Sequence, residues 1–271
     1  MNRNIAIIVL DSVRKDFFDT WAPRIQSHSG ISIEQARAPS SWSTPSHASM
    51  FTGELPSKHG VHTYSRSFDG ITTDILSDSD TEHKTIGVSA NSFASETYNL
   101  DEYFDVFREV STFQRYPNGI GSIDFDSKLQ FVFKSVNRGH TTANLLNGIT
   151  AFLHHRKKSI PGPKLIDDTG KAVCREVKRT VKRTTEPWLL FANLMDAHVQ
   201  LKPFRGLNKS IHGAPSSWCS DKYDTWELMG NNHREYWEVR ERVYAAIIDY
   251  MDQLVSGLWR KYGIFRSCRR P

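Results

Sequence analysis

A chain of 271 residues with 38% hydrophobic and 24% charged side chains has a globular balance, and it is long enough to bury the core of one large α/β domain or two small ones. Its longest apolar run, residues 5–10, is too short to cross a bilayer and ends in Asp11 without a small-residue cleavage site, so the expected setting is the cytoplasm, with no membrane partner. Thirty-five Lys and Arg against 30 Asp and Glu leave a formal charge of +5, which suits an anionic substrate or simply a solvated helix face; the basic clusters lack interleaved aromatics, so nucleic acid is not the expected partner.

Along the chain, the apolar and largely β-branched residues 4–10 predict a strand buried on both faces at the centre of a parallel sheet. Ligands of such sheets bind beyond the carboxyl ends of the strands, which puts Asp11 in a position for chemistry. Further strands are predicted at residues 31–38, 85–90 and 188–195, the last ending in Asp196 and His198. Helices are predicted at residues 46–51, closed by Gly53, and at 131–136, 142–155 and 170–180. From Tyr244 the apolar positions Ile247, Ile248, Met251, Leu254, Val255 and Leu258 repeat at helical spacing to near Gly263. Asp249 and Asp252 fall on or beside the polar side of that helix and read as solvated, and Trp218, Trp226 and Trp237 read as packing residues. Residues 159–163 and 206–217 read as loops. Cys174, Cys219 and Cys268 are odd in number and widely spaced, against a disulfide framework or a CxxC zinc site.

The stretch from Ala38 to Val61 is the most informative. Pro45 fits the first turn of a helix and Gly53 its end, so Ser43 and Thr44 are expected at the helix N-terminus, where backbone N–H groups and the positive end of the dipole favour a sulfate or phosphate. A hydroxyl there reads either as an N-cap or as a reacting group. Ser43-Thr-Pro-Ser46 followed by Thr52-Gly53-x-x-Pro56-x-x-His59-Gly60-Val61 resembles the nucleophile signature of sulfatases and their phosphodiesterase and phosphotransferase relatives in the alkaline phosphatase superfamily. The resemblance extends to Ile8-Val-Leu-Asp11-Ser-Val-Arg14, to Lys84-Thr-Ile-Gly-Val-Ser-Ala-Asn91, to Phe191-Ala-Asn-Leu-Met-Asp196-Ala-His198 and to residues 244–258. It implies an alkaline-phosphatase-like α/β fold whose mostly parallel sheet has helices on both faces. Residues 1–271 would form one sulfatase N-terminal-type domain with a loosely matching, mainly helical insertion at 110–185.

The same resemblance implies a hydrolase or transferase acting on sulfate or phosphate esters. A divalent cation, calcium foremost with manganese, magnesium or zinc as alternatives, would be held by Asp11 and Ser43 and would activate Ser43 as nucleophile. His198 would bond a non-bridging oxygen or the leaving group, His47 would stand where most sulfatases carry Arg, and Asn91 and His59 would face the substrate. Three departures shape the expectation. Ser43 and His47 replace the Cys-x-Pro-x-Arg context of formylglycine formation, so that modification is not expected and phosphoester chemistry is favoured. Ser12 stands where many sulfatases have a second Asp; Asp16 is the candidate substitute, with a surface carboxylate as its plainer reading. Finally, residues 261–271 stand where the family continues to a strand ending in Asp-His-Gly. The fold is therefore expected to be C-terminally truncated, and the metal site to be short of ligands unless a partner chain supplies them. A non-catalytic relative with an incomplete site is the alternative reading.

Overall fold

The computed structural model describes residues 3–73, 75–76, 83–111, 114–119, 140–156, 167, 169–198, 200–223, 225–230 and 233–262. Its elements in chain order are β1 (Ile5–Leu10), α1 (Lys15–Trp21), α2 (Pro23–Gln26), α3 (Ser43–Thr52), α4 (Pro56–His59), β2 (Lys84–Ser89), β3 (Val106–Glu109), α5 (Thr141–Arg156), α6 (Gly170–Val181), β4 (Trp188–Leu194), α7 (Lys209–His212), α8 (Thr225–Gly230) and α9 (Arg234–Tyr262), with short 3-10 turns between some of them. The fold is mixed α/β, built on a four-stranded sheet in the order β1-β4-β2-β3 and flanked by helices. β2 pairs in parallel with β3, Ile86 opposite Val106, and with β4, Ile86 opposite Leu190. Parallel pairing of β2 and β4 requires a crossover, and the long interval between them, which contains α5 and α6, supplies it.

Two compact units divide the chain: Met1–Val9, Ser29–Val110 and Val173–Leu194 form the first, and Leu10–His28, Ser111–Ala172 and Met195–Pro271 the second. In the first, β2 and β4 are buried along almost their whole length, as expected for apolar runs in a covered parallel sheet. Phe51 of α3 packs edge-on to Phe191 of β4 with ring centroids 5.1 Å apart, and Phe104 stacks on Phe191 at 6.0 Å, so an aromatic cluster fixes α3 to the sheet. Gly87 in β2 permits this packing: a Cβ there would meet Phe107 Cε2 at 2.8 Å and Phe104 Cγ at 3.1 Å.

In the second unit α9 is the spine. Its Ile247, Ile248, Met251 and Leu258 are fully buried, and it packs against α1, α2 and α7. A buried network starts α6: Arg115 pairs with Asp167, whose carboxylate also accepts from the Lys171 backbone N–H at 2.6 Å and from Tyr250 Oη at 3.0 Å.

The structure corrects several expectations. Residues 31–38 form no strand; Ile31 and Ile33 are 83% and 70% exposed, and an alternating apolar pattern without a neighbouring strand has no ladder to join. β1 lies at the edge of the sheet among the described residues and is only half-buried, not a central strand covered on both faces. The strand β3 has no counterpart in the expectations. Asp252 is fully buried and Asp249 nearly so, both paired with Arg24 Nη1 at 2.9 Å, so neither is solvated. Trp226 is 82% exposed and does not pack. Within the expected loop 206–217 lies the single turn α7. The expected helix 131–136, the loop 159–163 and the tail 263–271 lie outside the described residues.

Candidate functional site

Ser43 is the first residue of α3, and the cap position belongs to Trp42, whose side chain makes no capping bond. The hydroxyl therefore sits one position inside the helix, in the first turn with Thr44 and Pro45. This is the place where a proline without an N–H is tolerated and where the remaining backbone N–H groups can meet an anion. The other end of the helix closes at Gly53, with φ of 70°.

Polar side chains along α3 are tied to the first unit around it. Thr44 Oγ1 donates to the Phe93 carbonyl at 3.3 Å and Ser46 Oγ to the Ser40 carbonyl at 3.0 Å. His47, one turn beyond Ser43, is 2% exposed; its ring stands edge-on to Phe191 at 5.6 Å, and its Nε2 lies 3.0 Å from Nδ2 of Asn193. Asn193 is fully buried in β4. Asn193 lies within the Phe191–His198 stretch of the resemblance but is given no role there; its place in a strand that delivers residues toward the helix would have been the signal.

His59 is the last residue of α4, and both ring nitrogens are engaged. Nδ1 accepts from the Val61 backbone N–H at 3.1 Å, which leaves the proton on Nε2, 2.9 Å from Ser49 Oγ. Burial lowers the pKa of this imidazole, while Glu54 pulls it partly back. Asn91 is fully buried just beyond β2, where its Oδ1 accepts from the Phe93 backbone N–H at 2.8 Å. It thereby shapes the turn that carries Phe93.

The second unit carries Asp11 and His198. Asp11 leaves β1 at a turn in which Ser12 adopts φ of 60°, a left-handed conformation uncommon for a residue with a Cβ. Three hydrogen bonds hold that turn: Ser12 Oγ donates to Asp11 Oδ1 at 2.9 Å, and Tyr244 Oη of α9 accepts from Arg14 N–H at 2.8 Å and donates to the Ser12 carbonyl at 2.7 Å. Burial raises the pKa of the Tyr244 phenol, keeping it a donor. Asp16 is paired with Arg14 through two bonds of 3.1 and 2.7 Å at the surface, which matches its plainer reading. His198 is half-buried in the turn after β4, its backbone N–H donating to the Met195 carbonyl at 3.0 Å. Asp196, two residues earlier, is buried against the start of α6, so close that a Cβ on Gly170 would lie 2.6 Å from its Oδ2.

Among the described residues no group of three or more His, Cys, Asp or Glu side chains comes together as a metal site. No described helix is long and apolar enough to cross a membrane.

No family model matches the chain, nor does any curated protein. Among solved structures it is similar to two crystal structures of a protein named Ps i-CgsB. One superposes with a TM-score of 0.52 and 16% identity over 95% of this chain. The other, in complex with k-i-k-neocarrahexaose, gives 0.50 and 16% over 96%. The chain shares its α/β fold with these structures. In both cases the chain spans 54% of the neighbour's length, roughly half of the structures it resembles.

Proposed function

We propose that this chain is the anion-handling part of a sulfatase-like hydrolase or transferase, with Ser43 as the group that meets a sulfate or phosphate ester. The observation that carries the reading is the position of Ser43: it heads a ten-residue helix anchored to the sheet by aromatic packing, with the cap position taken by another residue. A hydroxyl used for capping would stand one position earlier. At N1 it lies among backbone N–H groups that stabilise negative charge. His47 lies one turn behind it and is held by Asn193. Support for an anionic sulfate ester as substrate comes from the sulfatase-like neighbour solved with k-i-k-neocarrahexaose. Asp11 and His198 enter the proposal through the sequence resemblance, as cation ligand and as partner of the ester oxygens; Asn91 and His59 enter it as residues bordering the substrate.

A divalent ion, calcium foremost, belongs to the proposal through the sequence resemblance, with a partner chain as a proposed source of further ligands. The second reading, which comes from the same sequence resemblance, is a non-catalytic relative that keeps an anion pocket. The two separate in one assay. Turnover of an aryl sulfate or a bis-aryl phosphate is measured with and without added calcium, for the native chain and for Ser43→Ala. Metal-dependent turnover that falls by about 10³-fold or more in the variant supports the nucleophile. Turnover that survives the substitution removes Ser43 from the chemistry, and no turnover beside retained sulfate binding selects the non-catalytic reading.

A further inference from the structure

Directly before Ser43 stands an aromatic arrangement that the nucleophile reading does not use. The Trp42 ring meets Phe93 edge to face, centroids 5.7 Å apart and planes at 89°, and Phe93 continues to Tyr98 at 5.7 Å. Over the Trp42 ring lies the Arg66 guanidinium, its Cζ 5.7 Å from the centroid. These groups are not interior packing: Phe93 is 38% exposed, Trp42 is half-buried and Arg66 is exposed. They are also held in place. The Phe93 carbonyl accepts from Thr44, the residue after Ser43, its N–H is bonded to Asn91, and Arg66 Nε donates to the Thr63 carbonyl at 2.9 Å. Among the described residues no carboxylate forms a salt bridge with Arg66. An exposed guanidinium above an indole, with no acidic partner among the described residues, offers a cation to an incoming anion while the ring below offers a flat apolar face.

We propose that Trp42, Phe93 and Arg66 form a substrate subsite for the ring that carries the ester, and that Arg66 receives a second anionic substituent on that ring. The substrate class is thus a cyclic scaffold bearing more than one sulfate or phosphate group, with the ring against Trp42 and Phe93 and one ester directed to Ser43. This rests on Ser43 being the group that meets the ester. Trp42 and Phe93 supply the C–H and π contacts that hold a pyranose or aryl ring, and a guanidinium can take two oxygens of one anion at once.

The test is an equilibrium titration by calorimetry on the full chain carrying Ser43→Ala, so that no probe is consumed, with inorganic sulfate, a monosulfated hexose and a disulfated hexose. The disulfated sugar should bind the tightest. Arg66→Ala should weaken it by about tenfold and leave the monosulfated sugar nearly unchanged. Trp42→Ala and Phe93→Leu should weaken both sugars and spare inorganic sulfate, and Trp42→Phe, which keeps a ring, should recover most of the affinity. Thermal melts establish that each variant is folded; Arg66→Ala, at an exposed position, keeps the test informative if Trp42→Ala fails to fold. Equal affinity for all three probes, or an Arg66→Ala loss of the same size for both sugars, overturns the proposal. Because these affinities are read without turnover, they and the Ser43 assay can fail separately.

Discussion

At the scale of single residues, the second unit depends on a carboxylate that looks dispensable in the sequence. Asp252 is fully buried, and besides Arg24 Nη1 its two oxygens accept from the backbone N–H groups of Arg24 at 3.1 Å and Ile25 at 2.7 Å. It therefore satisfies the first turn of α2 from a distance of more than two hundred residues along the chain. Asp252→Ala would strand these donors, and a loss of roughly 2–3 kcal/mol is expected in urea unfolding; an unchanged midpoint would mean that water replaces the carboxylate at no cost. Asp249 shares Arg24 and adds a bond from Gln253 at 2.7 Å. The sequence reading placed both aspartates in solvent because helical spacing reports only which face of the helix a residue occupies. The partner on α2 is invisible to that pattern.

Among the elements, apolar runs proved the most legible. β2, β4 and the later part of α9's buried stripe, Ile247 to Leu258, were readable from uninterrupted or helically spaced apolar residues, while that helix's first ten residues from Arg234 were not, and Pro45 with Gly53 bracketed α3 almost to the residue. The sequence reading began that helix three residues late, since Ser43 and Thr44 look like caps until Trp42 is seen to hold the cap position. β3 was missed because four residues with a single buried side chain, Phe107, carry too short a period to register; its pairing with β2 is decided by tertiary contact. Segment 31–38 shows the converse, a local pattern with no strand to pair with. As for the candidate site, Ser43, His47 and Asn91 were legible as a motif. Asn193, and the shelf of Trp42, Phe93 and Arg66, became visible only when the chain folded, since side chains separated by tens of residues meet there. Gly87 tests the packing of these strands. Gly87→Ala drives a methyl into the Phe104 and Phe107 rings, and a destabilisation of about 2–3 kcal/mol is expected in chemical denaturation. Wild-type stability in that variant would show that the aromatic cluster yields more easily than its spacing implies.

Over the whole molecule, two histidines respond to acid with the same sign. His59 in the first unit and His212 in the second each use Nδ1 to accept a backbone N–H, from Val61 at 3.1 Å and from Ala214 at 3.0 Å. Protonation of either ring at Nδ1 would break that bond. Burial lowers both pKa values, helped at His212 by the neighbouring Lys209 and opposed at His59 by Glu54. A histidine whose folded pKa lies below its unfolded value of 6.5 binds fewer protons folded than unfolded, so stability is lost as pH falls through that value. Glu109 acts with the opposite sign in a lower window. Burial, then repulsion from Glu96 and Asp101, raises its pKa above 4.5, so acidification toward 4.5 relieves strain there. The melting temperature should therefore drop between about pH 7.5 and 5.5, and a chain carrying His59→Gln and His212→Asn should show a flatter profile. An equal slope in the two chains would place the acid sensitivity elsewhere.

The position of β1 has a consequence for how the protein must be handled. Ile-Ala-Ile-Ile-Val-Leu forms the outermost strand of the sheet, only partly covered and with no described strand on its outer side. Such a margin displays a row of amide donors and acceptors beside branched aliphatic side chains, without the lysines, prolines or bulges that usually discourage intermolecular pairing. Self-association in concentrated solution would begin along this seam, and so would any productive joining of another polypeptide to the sheet.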